Sequence, residues 1–215
     1  MIKLVAATIV VVTLASTPFQ VVAQTAAVVK LDALLSEIRT LSADVTQLIV
    51  ESDGGILEES TIRMLLKKPD GFYWETLSPF PELIVTNGKQ LWNYQPDLEQ
   101  VVIEDWDTSR SELAAQLLNG QTENLAQEYE ITAAAEVTDE HTEFQLLPYA
   151  PDSVYKQITI TFVNTELDMI YLKSKNGQQT VWQFKNVIRN SALADSLFEF
   201  EPPDDVEVIQ NSYIN

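Results

Sequence analysis

The feature that most constrains this chain is a change in hydrophobic period. Leu31, Leu34, Leu35, Ile38 and Leu41 recur at three- and four-residue spacing, which predicts one amphipathic helix over about Ala26 to Leu41. After that the period is two: Val45, Gln47 and Ile49 alternate with Thr46, Leu48 and Val50. In the segment from Leu57 to Lys68, Ile62, Met64, Leu66 and Lys68 share one face, opposite Arg63, Leu65 and Lys67. Phe72, Trp74 and Thr76 then share a face opposite Tyr73, Glu75 and Leu77. Turn signals punctuate these runs: Asp53-Gly54-Gly55, Pro69-Asp70-Gly71, Asn87-Gly88, Gln95-Pro96-Asp97 and Asn176-Gly177.

Further strands are predicted at Leu83–Thr86, Leu91–Tyr94, Glu99–Trp106, Tyr129–Val137, Glu143–Pro148, Tyr155–Val163, Leu167–Ser174 and Gln179–Ile188. One stretch interrupts them. Ser109 and Glu112 have capping-box spacing, Leu113, Leu117 and Leu118 form an apolar stripe, and Gly120 ends a helix over Ser109 to Asn119. Leu125 to Tyr129 reads as a second short helical piece. The expected fold is mainly β with a few helices: one curved antiparallel sheet or barrel of about eleven strands.

Charge and composition exclude whole classes of function. Lys plus Arg total 13 and Asp plus Glu 32, for a net charge of −19. Such a surface repels phosphate backbones, so no nucleic-acid partner is expected. It also disfavours adhesion to anionic lipid. With no cysteine there are no disulfides, thiol nucleophiles or thiolate metal sites. His141 is the only histidine and sits in a polar turn. The carboxylate clusters at Glu104, Asp105 and Asp107, at Asp139 and Glu140, and at Asp204 and Asp205 read as solvated acidic turns. Glycoside hydrolysis needs two carboxylates flanking a cleft at a defined separation, which sequence adjacency does not supply. No loop has regular calcium-ligand spacing, and no nucleophile-elbow motif is present.

The N-terminus reads as an address. Lys3 precedes an uncharged apolar run from Leu4 to Leu14, and Val21 and Ala23 fit the small-residue rule before a cut. Cleavage is expected after Ala23, with residues 24–215 as a single mature domain. A membrane anchor needs roughly 20 apolar residues; this run is shorter and Pro18 breaks its end. Export without cysteine points to a periplasm or the exterior.

The alternation leaves two questions open. The aromatic and aliphatic positions fit a solid core, and they fit equally the lining of a cavity closed by amphipathic helices. Lys68 fits a strand-end lysine whose stem snorkels to water. It also fits a charge at the cavity mouth that meets the orphan carbonyls of a lid-helix terminus.

Four stretches carry a resemblance. Lys67-Lys68-Pro69-Asp70-Gly71-Phe72-Tyr73-Trp74 is similar to the K-R-P-x-x-F-x-W stretch of the periplasmic outer-membrane lipoprotein carriers, the LolA family. Pro79, Glu82 and Leu83 to Lys89 resemble its next strand and turn. Leu91 to Val101 resembles its L-W-x-Y-x-P-x-L-x-Q segment, and Phe198 to Val206 its F-x-F-x-P-P-x-G-V.

The resemblance implies an incomplete, half-open antiparallel barrel with an α-helical lid. It implies carriage without catalysis and without cofactor or metal. The cargo would be acylated lipoproteins, received from an inner-membrane ATP-driven releasing complex and passed to an outer-membrane receptor of similar fold (LolB-like). That receptor carries an N-terminal cysteine, which this chain lacks. The chain would be a periplasmic carrier, and a monomer is expected.

Phe72 and Trp74 match the family's aromatic strand and are assigned to a lipid-binding cavity; Ile62, Met64 and Leu66 complete its expected lining. Lys68 matches a family arginine that latches the lid. Lysine keeps the charge and loses the planar fork of donors. Leu113, Leu117 and Leu118 are the expected lid contacts. Two departures stand out: Thr108 to Ser111 lacks the proline usual at the lid helix start, and Asp205 replaces a common glycine. The alternatives are a same-fold carrier of another acylated cargo (a glycolipid or biosynthetic intermediate), an exported hydrolase, and a structural module with a solid core.

Overall fold

The structure is a computed structural model and describes residues 19–106, 122–134 and 140–211. The expected helix forms with different limits. Helix α1 spans Phe19–Ser36, so it begins ahead of the expected cut after Ala23 and stops short of Leu41. Leu41 instead lies in strand β1 (Thr40–Val50), and Ile38 lies in the connection. Leu41 extends the helical series and also begins the alternating series Leu41, Ala43, Val45. Its pairing with Leu66 on one side and Arg189 on the other decides for the strand.

The remaining elements follow in order. They are β2 (Ile56–Lys67), β3 (Gly71–Ser78), β4 (Glu82–Asn87), β5 (Gln90–Gln95) and β6 (Gln100–Asp105). After the short helix α2 (Thr122–Glu128) come β7 (Tyr129–Ala133), β8 (His141–Pro148), β9 (Tyr155–Val163), β10 (Glu166–Ser174) and β11 (Gln179–Arg189). A last strand, β12 (Glu207–Asn211), was not expected. The helix expected over Ser109 to Asn119, with Leu113, Leu117 and Leu118, lies outside the described residues, as do Asp107 and Asp139.

One sheet of 12 strands results, in the order β12-β6-β5-β4-β3-β2-β1-β11-β10-β9-β8-β7. It is open, with β12 and β7 at its edges. The expectation of purely antiparallel pairing is corrected at one place, because β12 runs parallel to β6. That strand is short, and its partner is the distant Gln100–Glu104 run, so no hairpin turn marks it.

Register makes the faces explicit. Phe144, Ile160, Ile170, Trp182, Gln47 and Ser60 face one another across six adjacent strands. This inner face carries the main core. Ala27, Leu31, Leu34 and Leu35 of α1 pack into it, with Leu31 and Leu35 each only 1% exposed. Helix α1 lies against β7 and α2. A second, smaller cluster sits on the outer face, where Val85, Trp92 and Val101 pack with Tyr73, Tyr94, Phe200 and Val206. The chain after β11 covers it, stacking Phe200 on Tyr94 with centroids 5.3 Å apart. Lys67 Nζ pins that segment by donating to the Leu193 carbonyl (2.7 Å) and pairing with Asp195.

The Asn87-Gly88 turn sits against the β2–β3 turn. A Cβ on Gly88, whose φ is +84°, would lie 2.3 Å from Asp70 Cβ. Only glycine fits both the left-handed backbone and that approach.

Candidate functional site

Residues 67–74 hold the site together, because successive strand residues point to opposite faces. Phe72 and Trp74 face inward on β3, opposite Leu66 and Met64 of β2 and Thr86 and Ile84 of β4. Their rings stack at 6.0 Å and 18°. Trp182 of β11 meets Trp74 edge-on at 5.7 Å and 70°. Its indole Nε1 donates to Gln47 Oε1 at 2.7 Å, which fixes the ring and satisfies its polar atom.

These rings border a cavity of about 470 Å³. Its apolar walls are Phe72, Trp74, Ile84, Trp182, Phe80 and Leu98. Phe80 and Leu98 are 69% and 66% exposed, so they stand at the mouth. Gln47, Thr76 and Gln95 also line it, with the carboxylates Glu58, Glu82 and Asp97 and, among the described residues, no lysine or arginine. Gln95 Nε2 donates to Glu82 Oε1 at 3.2 Å. The cavity is therefore amphipathic: aromatic at its base and acidic toward its rim.

Of the expected lining residues, Phe72 and Trp74 border this cavity. Ile62, Met64 and Leu66 do not; they are at most 1% exposed and lie within the main core. Strand alternation selects the face of a residue and not its depth. Trp182, Ile84, Gln47, Phe80 and Leu98 were missed. Trp182 had a signal, since Trp182 and Phe184 alternate with the less buried Val181, Gln183 and Lys185 on β11. Phe80 and Leu98 had another, as large apolar residues beside proline in turns, between Pro79 and Pro81 and after Pro96-Asp97.

Lys68 follows β2 and reaches the end of α1. Its Nζ donates to the Leu35 carbonyl oxygen at 2.7 Å. Leu35 is in the last turn of α1, where carbonyls lack helical partners and cations are favoured. The same carbonyl also accepts the Ile38 N–H at 3.2 Å, so the lysine adds a second donor at the helix terminus. The helix reached is α1; Ser109 to Asn119 lie outside the described residues. Burial holds the Lys68 ammonium pKa below the usual lysine value, opposed by the nearby Asp32 carboxylate.

The other candidates are not gathered. His141 is exposed at the start of β8, and Asp204 and Asp205 lie in an exposed turn. Among the described residues no helix is long and apolar enough to cross a membrane.

Residues 36–201 match the family model described as outer membrane lipoprotein carrier protein LolA. A protein of Hahella chejuensis named outer-membrane lipoprotein carrier protein is 35% identical over 190 residues, covering 88% of this chain and 91% of that protein. One of the same name from Chromohalobacter salexigens is 33% identical, covering 90% of this chain and 91% of its own length. A crystal structure of an uncharacterized conserved protein from Thermus thermophilus has the same fold, with a TM-score of 0.55 at 14% identity. The alignment covers 87% of this chain and 99% of that one.

Proposed function

Because this chain belongs to the LolA family of outer-membrane lipoprotein carriers, we propose that it ferries acylated lipoproteins across the periplasm, with their acyl chains held beneath α1. Its relatives are named carriers and its role is carriage, not catalysis. The observation that carries the finer reading is the position of the 470 Å³ aromatic cavity on the sheet face that α1 covers.

Energetics give this arrangement its purpose. Each CH₂ withdrawn from water is worth about 0.8 kcal/mol, so a chain of about 16 carbons costs on the order of 12 kcal/mol to expose. Several such chains cannot cross water bare. The empty carrier has the same problem on a smaller scale. Leu31, Leu34 and Leu35 shield the inner face when no cargo is bound. Each buried leucine contributes roughly 1.5–3 kcal/mol. If α1 swings away, acyl chains must replace the contacts it gives up. Cargo and helix then compete for one apolar surface, and exchange between them needs no energy source at the receiving side.

Lys68 latches α1 in the closed state through the Leu35 carbonyl. Phe72 and Trp74 are the aromatic base of the cargo site. Ile62, Met64 and Leu66 form the floor that acyl chains reach once α1 has moved. Leu113, Leu117 and Leu118 supply further lid contacts. The donor is an inner-membrane ATP-driven lipoprotein-releasing complex, and the acceptor is an outer-membrane lipoprotein receptor. The leader 1–23 is removed on export, and the mature monomer occupies residues 24–215.

The polar rim of the cavity also suits an acylated ligand with a different headgroup, so the test identifies the cargo. Protein purified from periplasm, wild type and Lys68→Leu, is analysed by native mass spectrometry. Bound triacylated lipoprotein, enriched in K68L, supports the reading. A glycolipid in its place changes the cargo and keeps carriage. K68L should accept lipoprotein from spheroplasts and deliver it poorly; unchanged delivery overturns the latch. Failure of the wild type to release lipoprotein from spheroplasts overturns the whole reading.

A further inference from the structure

The connection from α1 to β1 is held by local turn bonds and by groups distant in sequence. Helix α1 has no glycine after its end; the chain continues Glu37, Ile38, Arg39 into β1. The Glu37 and Ile38 N–H groups reach the Ala33 and Leu35 carbonyls, each at 3.2 Å. Two distant side chains add to this cap. Lys68 Nζ serves Leu35, and Asn190 Nδ2 donates to the Glu37 carbonyl at 3.0 Å. The Oδ1 of the same Asn190 amide accepts the N–H groups of Arg39 (2.8 Å) and Thr40 (3.4 Å).

The backbone around Asn190 completes the grip. Its own N–H donates to the Thr40 carbonyl at 2.9 Å, and Thr40 Oγ1 donates to the Ser191 carbonyl at 2.7 Å. Asn190 has φ +59°, a left-handed conformation that asparagine tolerates better than most residues. It sits just after β11, where the chain leaves the sheet for the outer-face segment. One amide thus bridges the carbonyl of Glu37, just past the helix, and the N–H groups of Arg39 and Thr40 at the start of β1.

We propose that Asn190 is the pivot of α1: the positioning residue that fixes where the helix is anchored while the Lys68 contact opens and closes. The two contacts divide the work by location. Lys68 grips the helix itself, so its bond must break when α1 lifts. Asn190 grips the connection behind the helix, so its bonds survive the motion. A helix tied at its root returns to the same seat after cargo leaves. This inference rests on the reading that α1 moves for cargo.

The test uses the absence of cysteine. Lys30→Cys on α1 and Lys156→Cys on β9, both at exposed positions, become the only labelling sites in the chain. Spin-label distances are measured in wild type, Asn190→Gly and Asn190→Asp, with and without a synthetic tripalmitoylated lipopeptide. Glycine keeps the left-handed backbone and removes the amide. Aspartate keeps the acceptor and loses the donor.

In the wild type, lipopeptide should lengthen one narrow distance, and its removal should restore it. In N190G, detached-helix conformers should rise roughly tenfold even without lipopeptide, the equivalent of one or two net hydrogen bonds. N190D should fall between. Amide exchange in β1, β9 and β11 should stay as in wild type. Wild-type distances in both variants overturn the pivot while leaving helix motion intact. Detachment accompanied by loss of exchange protection throughout the sheet also overturns it, because the role would then be merely structural. A wild-type distance that ignores lipopeptide overturns the reading of a moving α1, and the pivot with it.

Discussion

The two halves of the inner face are built by the same alternation and finish differently. Across β8, β9 and β10, Phe144, Leu146, Ile158, Ile160 and Ile170 are all fully buried. Phe144 and Phe162 meet edge-on at 6.1 Å. Across β3, β4 and the turns beside them, Phe72, Trp74 and Ile84 face a cavity whose mouth is Phe80 and Leu98. The first half is filled and the second is not. Interior atoms gain from dense contact, so the filled half carries stability. The unfilled half leaves aromatic and apolar side chains bordering open space, which is what the proposed cargo site requires.

The sharpest way to break this contrast is to hollow out the filled half. Phe144→Ala should destabilise the protein by about 3–5 kcal/mol in denaturant unfolding. A loss below about 1 kcal/mol would mean that this half is loosely packed as well. The seam between the halves comes next. Gln47→Leu removes the acceptor of Trp182 Nε1 and should cost about 1–3 kcal/mol, the penalty of a buried donor left unmatched. It should also blue-shift or broaden the Trp182 fluorescence as the ring loses its fixed orientation.

The mouth should be nearly silent in stability. Phe80→Ala should change unfolding by no more than about 0.5 kcal/mol, yet weaken binding of an acylated lipopeptide in a titration. If Phe80→Ala costs as much as Phe144→Ala, the mouth is core and the comparison fails. The smallest effect is one of pH. Burial in this structure depresses the Lys68 pKa, so this state binds fewer protons than the unfolded chain or the proposed open state, in which Lys68 meets water. Between the depressed value and the ordinary lysine value, rising pH therefore favours closure and folding. Label distances between α1 and the sheet should tighten over that window in wild type and not in K68L. An opposite slope would show that Asp32, and not burial, dominates the ammonium.

Much of this was legible beforehand, for local reasons. Tight turns such as Asn87-Gly88 and Asn176-Gly177 declare themselves by composition, and alternation then assigns faces on both sides of them. That is why the Tyr155–Val163 strand fell where expected. Of the motif residues, Phe72 and Trp74 border the cavity and Lys68 reaches the end of α1. Ile62, Met64 and Leu66 share the inner face and lie in the main core, outside the lining of this cavity, because alternation gives a face and not a depth. β12 escaped because its partner is supplied from across the fold, and the root of α1 because its caps come from Lys68 and Asn190.

By itself, then, the sequence determined the period, the turns, the faces of the strands and the family, since each of these is written in neighbouring residues. Only the tertiary structure decided which inward residues border a void and which fill one. It also decided where α1 ends, and which distant donors satisfy its last carbonyls. The physical reason is the same for all three. Packing depth and the satisfaction of buried polar groups depend on every element that converges on a point, and here those elements lie up to 153 residues apart.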